Sequence, residues 1–214
     1  MQPLLPAVRR LALLLLLGPV WLPAASSGAD DVLAALPPLP SGALRVYLVR
    51  HGQALSNLDP VPNLPPAELD HLTALGTRQA EAVGRALAGR GVTSVLTSPA
   101  SRARETAEAI ARALGLSAPA VEPQLRPMER AESMGQVGDR VDGLVRAVAR
   151  SRRGTGVVLV AHGEVLAAYL GHIQGTSAPK RDPKGLGNGS ITVVDVAPTG
   201  APTIRLENHL PAAP

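Results

Sequence analysis

Residues able to hold and transfer a phosphoryl group stand where apolar runs stop. Leu44–Val49 gives way to Arg50-His51-Gly52, Ser94–Thr97 to Ser98-Pro99 with Arg102 close behind, and Gly156–Val160 to Ala161-His162-Gly163. Guanidinium groups grip tetrahedral oxyanions through fixed forks of N–H donors. Imidazole changes protonation near neutral pH and works beside them. Gly52 and Gly163 follow the two histidines, where a missing side chain lets backbone N–H groups approach an anion. Helices that begin just afterwards would aim their positive ends at the same place. If Arg50, His51, Arg102 and His162 converge, the chemistry they suit is phosphoryl binding and transfer.

The elements that must bring them together can be read from the same chain. Leu44–Val49 and Gly156–Val160 are apolar on both faces, as buried parallel strands are. Thr73 precedes a helix with Gly76, Ala80, Val83 and Leu87 on one face and Arg78, Glu81 and Arg85 on the other. Ser98-Pro99 supplies an N-cap and a first-turn proline for a second helix, which buries Ala103, Ala107, Ile110 and Leu114 and carries Arg102 in its first turn. Val141, Leu144, Val145 and Val148 mark a third helix, and Glu164 opens a fourth. Ile191–Val196 and Thr203–Leu206 read as final strands in a hairpin. Strands alternating with helices of this length predict a three-layer α/β/α sandwich around a mostly parallel sheet. In such sheets ligands sit beyond the carboxyl ends of the strands, where these residues fall.

Composition narrows the class. The 214 residues contain no cysteine, which excludes a disulfide framework, a thiolate metal site and a cysteine nucleophile. Trp21, Tyr47 and Tyr169 are the only aromatic residues besides histidine, too few for a base-stacking surface. Of the 21 basic residues two are Arg9 and Arg10, and the rest nearly balance the 17 acids with no basic run. A nucleic-acid partner is not expected. Lys180, Arg181 and Lys184 lie in a Gly/Pro-rich stretch read as a solvated loop.

Arg9-Arg10, the Leu/Ala run Leu11–Leu17, the breaks at Pro19 and Pro23 and the small residues up to Ala29 have the form of an export signal. Residues 1–29 are read as that signal, cleaved before Asp30, so that no stable membrane span remains and the mature protein is periplasmic or secreted. Residues 30–42, with Pro37, Pro38 and Pro40, form a Pro/Ala-rich linker. Residues 43–210 form one catalytic domain.

Leu48-Val49-Arg50-His51-Gly52-Gln53-Ala54-Leu55-Ser56-Asn57 resembles the signature of the histidine phosphatase superfamily, the phosphoglycerate-mutase-like proteins. Four further segments are similar in order: Leu72-Thr73-Ala74-Leu75-Gly76 with Gln79-Ala80, Thr97–Ala103 with Glu105-Thr106-Ala107, Val160-Ala161-His162-Gly163, and Asn188-Gly189-Ser190. The resemblance implies a phosphoglycerate-mutase-like fold and makes His51 the nucleophile that becomes a phosphohistidine. It implies that Arg50, Arg102 and His162 bind the phosphoryl oxygens, with Asn57 orienting the group, and that no metal or other cofactor is needed. The sequence departs from the family at the proton donor, because Leu125 is followed by Arg126 and Pro127 rather than by an acid. Glu129, in a Glu-Arg pair like that of the mutases, is the candidate there, with Glu132 its competitor and Glu122 third. His71, His172 and His209 have no motif context and are read as structural.

These expectations amount to an exported phosphatase acting on small phosphate monoesters. Phosphoglycerate-mutase-type activity and protein phosphohistidine phosphatase activity are alternatives within the family. A catalytically silent anion-binding or scaffold protein is the alternative from another class.

Overall fold

The computed structural model describes residues 32–176 and 185–212. The export signal read from residues 1–29 and the loop cations Lys180, Arg181 and Lys184 lie outside the described residues. The chain divides into two units, Met1–Ala35 and Leu36–Pro214. Of the first, residues 32–35 are described, and they form a turn.

The second unit is built on a six-stranded sheet. Its strands are β1 (Leu44–Arg50), β2 (Val92–Thr97), β3 (Ala120–Val121), β4 (Gly156–Ala161), β5 (Ile191–Val196) and β6 (Pro202–His209), in the spatial order β3-β2-β4-β1-β5-β6. The first four are mutually parallel, while β5 runs antiparallel to β1 and β6 antiparallel to β5. The helices are α1 (Pro66–Leu69), α2 (Ala74–Leu87), α3 (Ser101–Leu114), α4 (Met134–Ser151) and α5 (Gly163–Ile173).

Every residue of β4 and β5 is buried, and six of the seven in β1. That is why these strands are apolar throughout rather than alternating. Side chains still alternate between faces. Leu44, Val46 and Leu48 join Val157, Leu159 and Ala161 on one face, against Val141, Leu144 and Val145 of α4 and Val165, Leu166 and Tyr169 of α5. The opposite face is covered by α2 and α3, which bury Ala80, Val83, Leu87, Ala103, Ala107 and Ile110. Gly84 makes their close approach possible, since a Cβ there would lie 2.6 Å from that of Ala113. The buried carboxylate of Asp195 ties three strands together, accepting from Arg45 at 2.7 and 2.9 Å and from Arg205 at 2.9 Å.

Register decides where the chemistry lands. Arg50 pairs with Ala161 across β1–β4, and Thr97 with Val160 across β2–β4. His51, Ser98 and His162 therefore leave the sheet side by side. One local expectation needs correcting. Helix α3 starts at Ser101, with Ala100 at its N-cap and no side-chain cap. The Ser98 hydroxyl is taken instead by His162, 2.8 Å away, with Ala100 N–H donating to it at 3.3 Å. Thr73 does cap α2, accepting from Gly76 N at 3.0 Å.

Candidate active site

Arg50 is the last residue of β1 and His51 the first beyond it. Their backbone is held by the corner before β5. Gly189 N–H donates to the carbonyls of Arg50 (3.0 Å) and His51 (3.2 Å), and Asn188 Nδ2 donates to His51 O at 3.1 Å. Gly189 has φ +72°, a left-handed conformation that glycine adopts without strain. The Asn188-Gly189-Ser190 motif is thus a backbone clamp on the Arg50-His51 pair.

His51 is 3% exposed, and its Nδ1 lies 2.8 Å from the Gly52 carbonyl. A carbonyl only accepts, so Nδ1 carries the proton and Nε2 keeps its lone pair. Burial, and then the positive charges of Arg102 and Arg50, push the His51 pKa down to about 4 against the bond to Gly52. The ring is neutral at physiological pH with its unprotonated nitrogen turned towards Arg102.

Arg102, in the first turn of α3, meets both histidines. Its Nε donates to His51 Nε2 and its Nη2 to His162 Nδ1, each at 3.1 Å. Because an arginine can only donate, His162 Nδ1 is an acceptor and the ring proton sits on Nε2, facing Ser98 Oγ. His162 is 1% exposed, and burial followed by the charge of Arg102 lowers its pKa to about 2. The two imidazoles are 5.2 Å apart between ring centroids.

Arg50 gives one N–H to the Leu186 carbonyl, while its buried Nε has no partner. Around one spot there are thus two guanidinium groups and two neutral imidazoles, whose unprotonated nitrogens both accept from Arg102. A tetrahedral dianion would satisfy the Arg50 Nε and draw Arg102 off the His51 nitrogen.

Three residues that sequence reasoning missed hold this arrangement. Asp70, just after α1, binds Arg102 Nη1 through Oδ1, and its Oδ2 accepts from Ser101 N at 2.7 Å. Next to it, His71 pairs with Glu105 of α3, whose other oxygen accepts from Leu72 N at 2.9 Å. Thr106 accepts from Gly52 N (3.0 Å) and donates to the Arg102 carbonyl (2.7 Å), joining the β1 loop to α3. Ser98 is the third, through His162. Thr106 lay inside a matched motif and Asp70 beside one, but their partners are visible only in three dimensions.

Other expected site residues are placed differently. Gly52 was expected to present its N–H to the anion, but Thr106 takes that N–H. Its lack of a side chain serves packing, because a Cβ would lie 2.3 Å from Gly76 O. Gly163 lies against the Arg50 guanidinium, 3.4 Å from where its Cβ would be to Nε. Asn57 uses its side-chain oxygen within the loop, accepting from Ala54 N at 3.0 Å and from Asn188 Nδ2 at 3.3 Å. It reaches His51 only through Asn188.

Glu129 and Glu132 form a separate cluster with two arginines. Arg126 donates to Glu129 (2.6 Å) and to Glu132 (2.7 Å), and Arg140 donates to both Glu132 oxygens at 2.9 and 3.1 Å. The bonds from Arg140 and from Glu129 N–H hold Glu132 down to about 2. Glu129 is the freer, 64% exposed with one cationic neighbour. The charge of Arg140 adds to the lowering of the His162 pKa. Glu122 lies beside the end of β2, its N–H donating to Thr97 O at 2.8 Å.

The model of the histidine phosphatase superfamily (branch 1) matches residues 46–130 and 119–209, which include Arg50, His51, Arg102 and His162. The chain belongs to this superfamily. A probable phosphoglycerate mutase, GpmB, of Yersinia pestis is 27% identical over 185 residues, covering 71% of this chain and 85% of the relative. Among solved structures, phosphoserine phosphatase of Entamoeba histolytica superposes with a TM-score of 0.67 at 18% identity, covering 78% of this chain and 98% of that one. A mycobacterial glucosyl-3-phosphoglycerate phosphatase does so at 0.63 and 22%, covering 78% and 99%. At these identities the structural likeness speaks for the fold, a mixed α/β sheet with helices on its faces.

Proposed function

We propose that this histidine phosphatase superfamily member hydrolyses small phosphate monoesters outside the cytoplasm through a phosphohistidine at His51. The observation that carries the reading is the His51 ring itself. Its Nδ1–H is committed to the Gly52 carbonyl, its pKa sits near 4, and its Nε2 faces the donors that would hold a phosphoryl group. Mutase-type turnover is the neighbouring reading, since the GpmB relative is named for it.

His51 Nε2 forms a bond to phosphorus as the ester P–O bond breaks. The Gly52 carbonyl stabilises the positive charge that develops on the ring, and Arg50 and Arg102 stabilise the equatorial oxygens. The departing alkoxide takes a proton from Glu129. Water then attacks the phosphohistidine and gives its proton to the Glu129 carboxylate. The P–N bond breaks, releasing inorganic phosphate and neutral His51. Glu132 is a poorer acid, because its two arginines keep it ionised. The sequence of residues 1–29 supports the extracytoplasmic setting.

The test is release of phosphate from p-nitrophenyl phosphate and from an alkyl phosphate by the purified protein. Glu129→Gln should slow the alkyl ester by about 10²–10⁴-fold and the nitrophenyl ester far less, because nitrophenolate leaves without a proton. No phosphate release from either ester by the intact protein contradicts the phosphatase reading. An equal effect on both esters removes Glu129 from proton transfer. N-terminal sequencing after expression in an exporting host should find a start between Ala25 and Asp30. A retained Met1 in the cytoplasmic pool contradicts export.

A further inference from the structure

Two carboxylates act electrostatically on the phosphoryl-facing groups: Asp70 on His51, and Glu164 on Arg50. They are not equivalent. Both oxygens of Asp70 are engaged, by Arg102 and by Ser101 N–H. Glu164 is exposed and sits in the first turn of α5, two residues past His162. No hydrogen bond or ion pair engages its side chain among the described residues. Its position is fixed by its neighbours: His162 is the N-cap of α5, and Gly163 packs on the Arg50 guanidinium, 3.4 Å from its own Cβ position to Nε. At Arg50 the charge of Glu164 outweighs that of Arg102. An exposed carboxylate thus follows directly on the glycine that packs against the residue expected to hold the phosphoryl oxygens. A phosphoryl dianion held by Arg50 would have this negative charge in its neighbourhood.

We propose that Glu164 is a specificity-determining residue. It selects phosphate monoesters whose alcohol carries an ammonium or other cationic group and disfavours those whose alcohol carries a carboxylate. The proposal rests on the phosphatase reading for its substrates. Opposite charge beside Glu164 attracts, like charge repels, and neither effect requires new contacts to form. A phosphoglycerate-type substrate would place a second anion against this carboxylate.

Three two-carbon esters that differ in terminal charge test this: phosphoethanolamine, ethyl phosphate and phosphoglycolate. The intact protein should rank them in that order by kcat/KM. Glu164→Gln should shrink the phosphoethanolamine-to-phosphoglycolate ratio by about tenfold, and Glu164→Lys should invert it. Rising salt should narrow the ratio in the intact protein and leave it unchanged in Glu164→Gln, because the charge is exposed. A purely structural role would move none of these ratios. Calorimetric affinities of the three esters for His51→Ala, which cannot accept the phosphoryl group, give the same ranking without turnover. Turnover with no charge ranking, or ratios unmoved in both Glu164 variants, overturns the selection by Glu164. Charge-ranked binding with no turnover in the intact protein overturns the phosphatase reading and leaves the selection standing.

Discussion

Arg102 joins the parts of the candidate site, since it donates to His51, His162 and Asp70 from three different nitrogens. The residue that aims it is Asp70. Asp70 could not be found from sequence, because it is 32 positions from Arg102 and meets it only when α1 folds against the start of α3. Arg50, His51 and His162 were legible because they follow apolar runs, and Arg102 because it stands in the first turn of the helix after one. Ser98, Thr106 and Asp70 act on those four rather than on a ligand, so even the motif that contains Ser98 and Thr106 does not disclose what they do. Asp70→Asn keeps the size and removes the charge that anchors Arg102. It should lower kcat by about 10–100-fold, as misplacement of a positioned group does. The charge of Asp70 also raises the His51 pKa, so the acid limb of the kcat/KM profile should move to lower pH. An unchanged acid limb and unchanged kcat would show that Arg102 needs no such anchor.

At the level of elements, the strands and helices follow from hydrophobic pattern and capping, and the sheet register then does the assembling. What pattern does not reveal is how tightly the loop after β1 rests on α2. Gly52 and Gly76 face each other there. A Cβ on Gly76 would come within 2.0 Å of Gln53 O, and that atom is backbone, not a side-chain end that could swing aside. Glycine in a helix reads as a weakness from propensity alone, and only the contact explains it. Gly76→Ala should cost about 1–3 kcal/mol from overpacking and should reduce turnover by shifting the segment that follows His51. Gly143, in mid-α4 with open space where its Cβ would point, makes the contrast. Gly143→Ala should stabilise by about 0.5–1 kcal/mol without affecting turnover. Thermal melts of both variants measure this, and equal shifts would refute the packing argument.

Over the whole molecule, two histidines are folded into a neutral state. In the folded protein His51 titrates near 4 and His162 near 2, both below the ordinary 6.5. As pH falls below 6.5 the unfolded chain binds protons that the folded chain refuses, so stability is lost towards acid. The share from His51 levels off near pH 4, while that from His162 continues falling. Each contributes a slope of about 1.4 kcal/mol per pH unit while the two states differ by a whole proton. The melting temperature should therefore decline from pH 7 to 4.5, and His162→Asn should decline less steeply than the intact protein. Parallel declines would mean that His162 is not held neutral. The same burial that strains the fold at low pH keeps the His51 ring uncharged near neutrality, as the proposed nucleophile must be. The sheet's order, with β1 beside β4 and β4 beside β2, is what sequence reading captured least directly. It named which strands end in chemistry, and the register showed that those ends are neighbours.

The central claim is that His51 accepts the phosphoryl group, and it can be measured at that atom. The purified protein is mixed rapidly with p-nitrophenyl phosphate, quenched without acid, digested at neutral to alkaline pH and examined by mass spectrometry. The expected result is one added phosphoryl group on the peptide containing His51, localised to that residue, and absent from His51→Ala. A phosphoryl group on another residue, or full hydrolysis by His51→Ala, would contradict it.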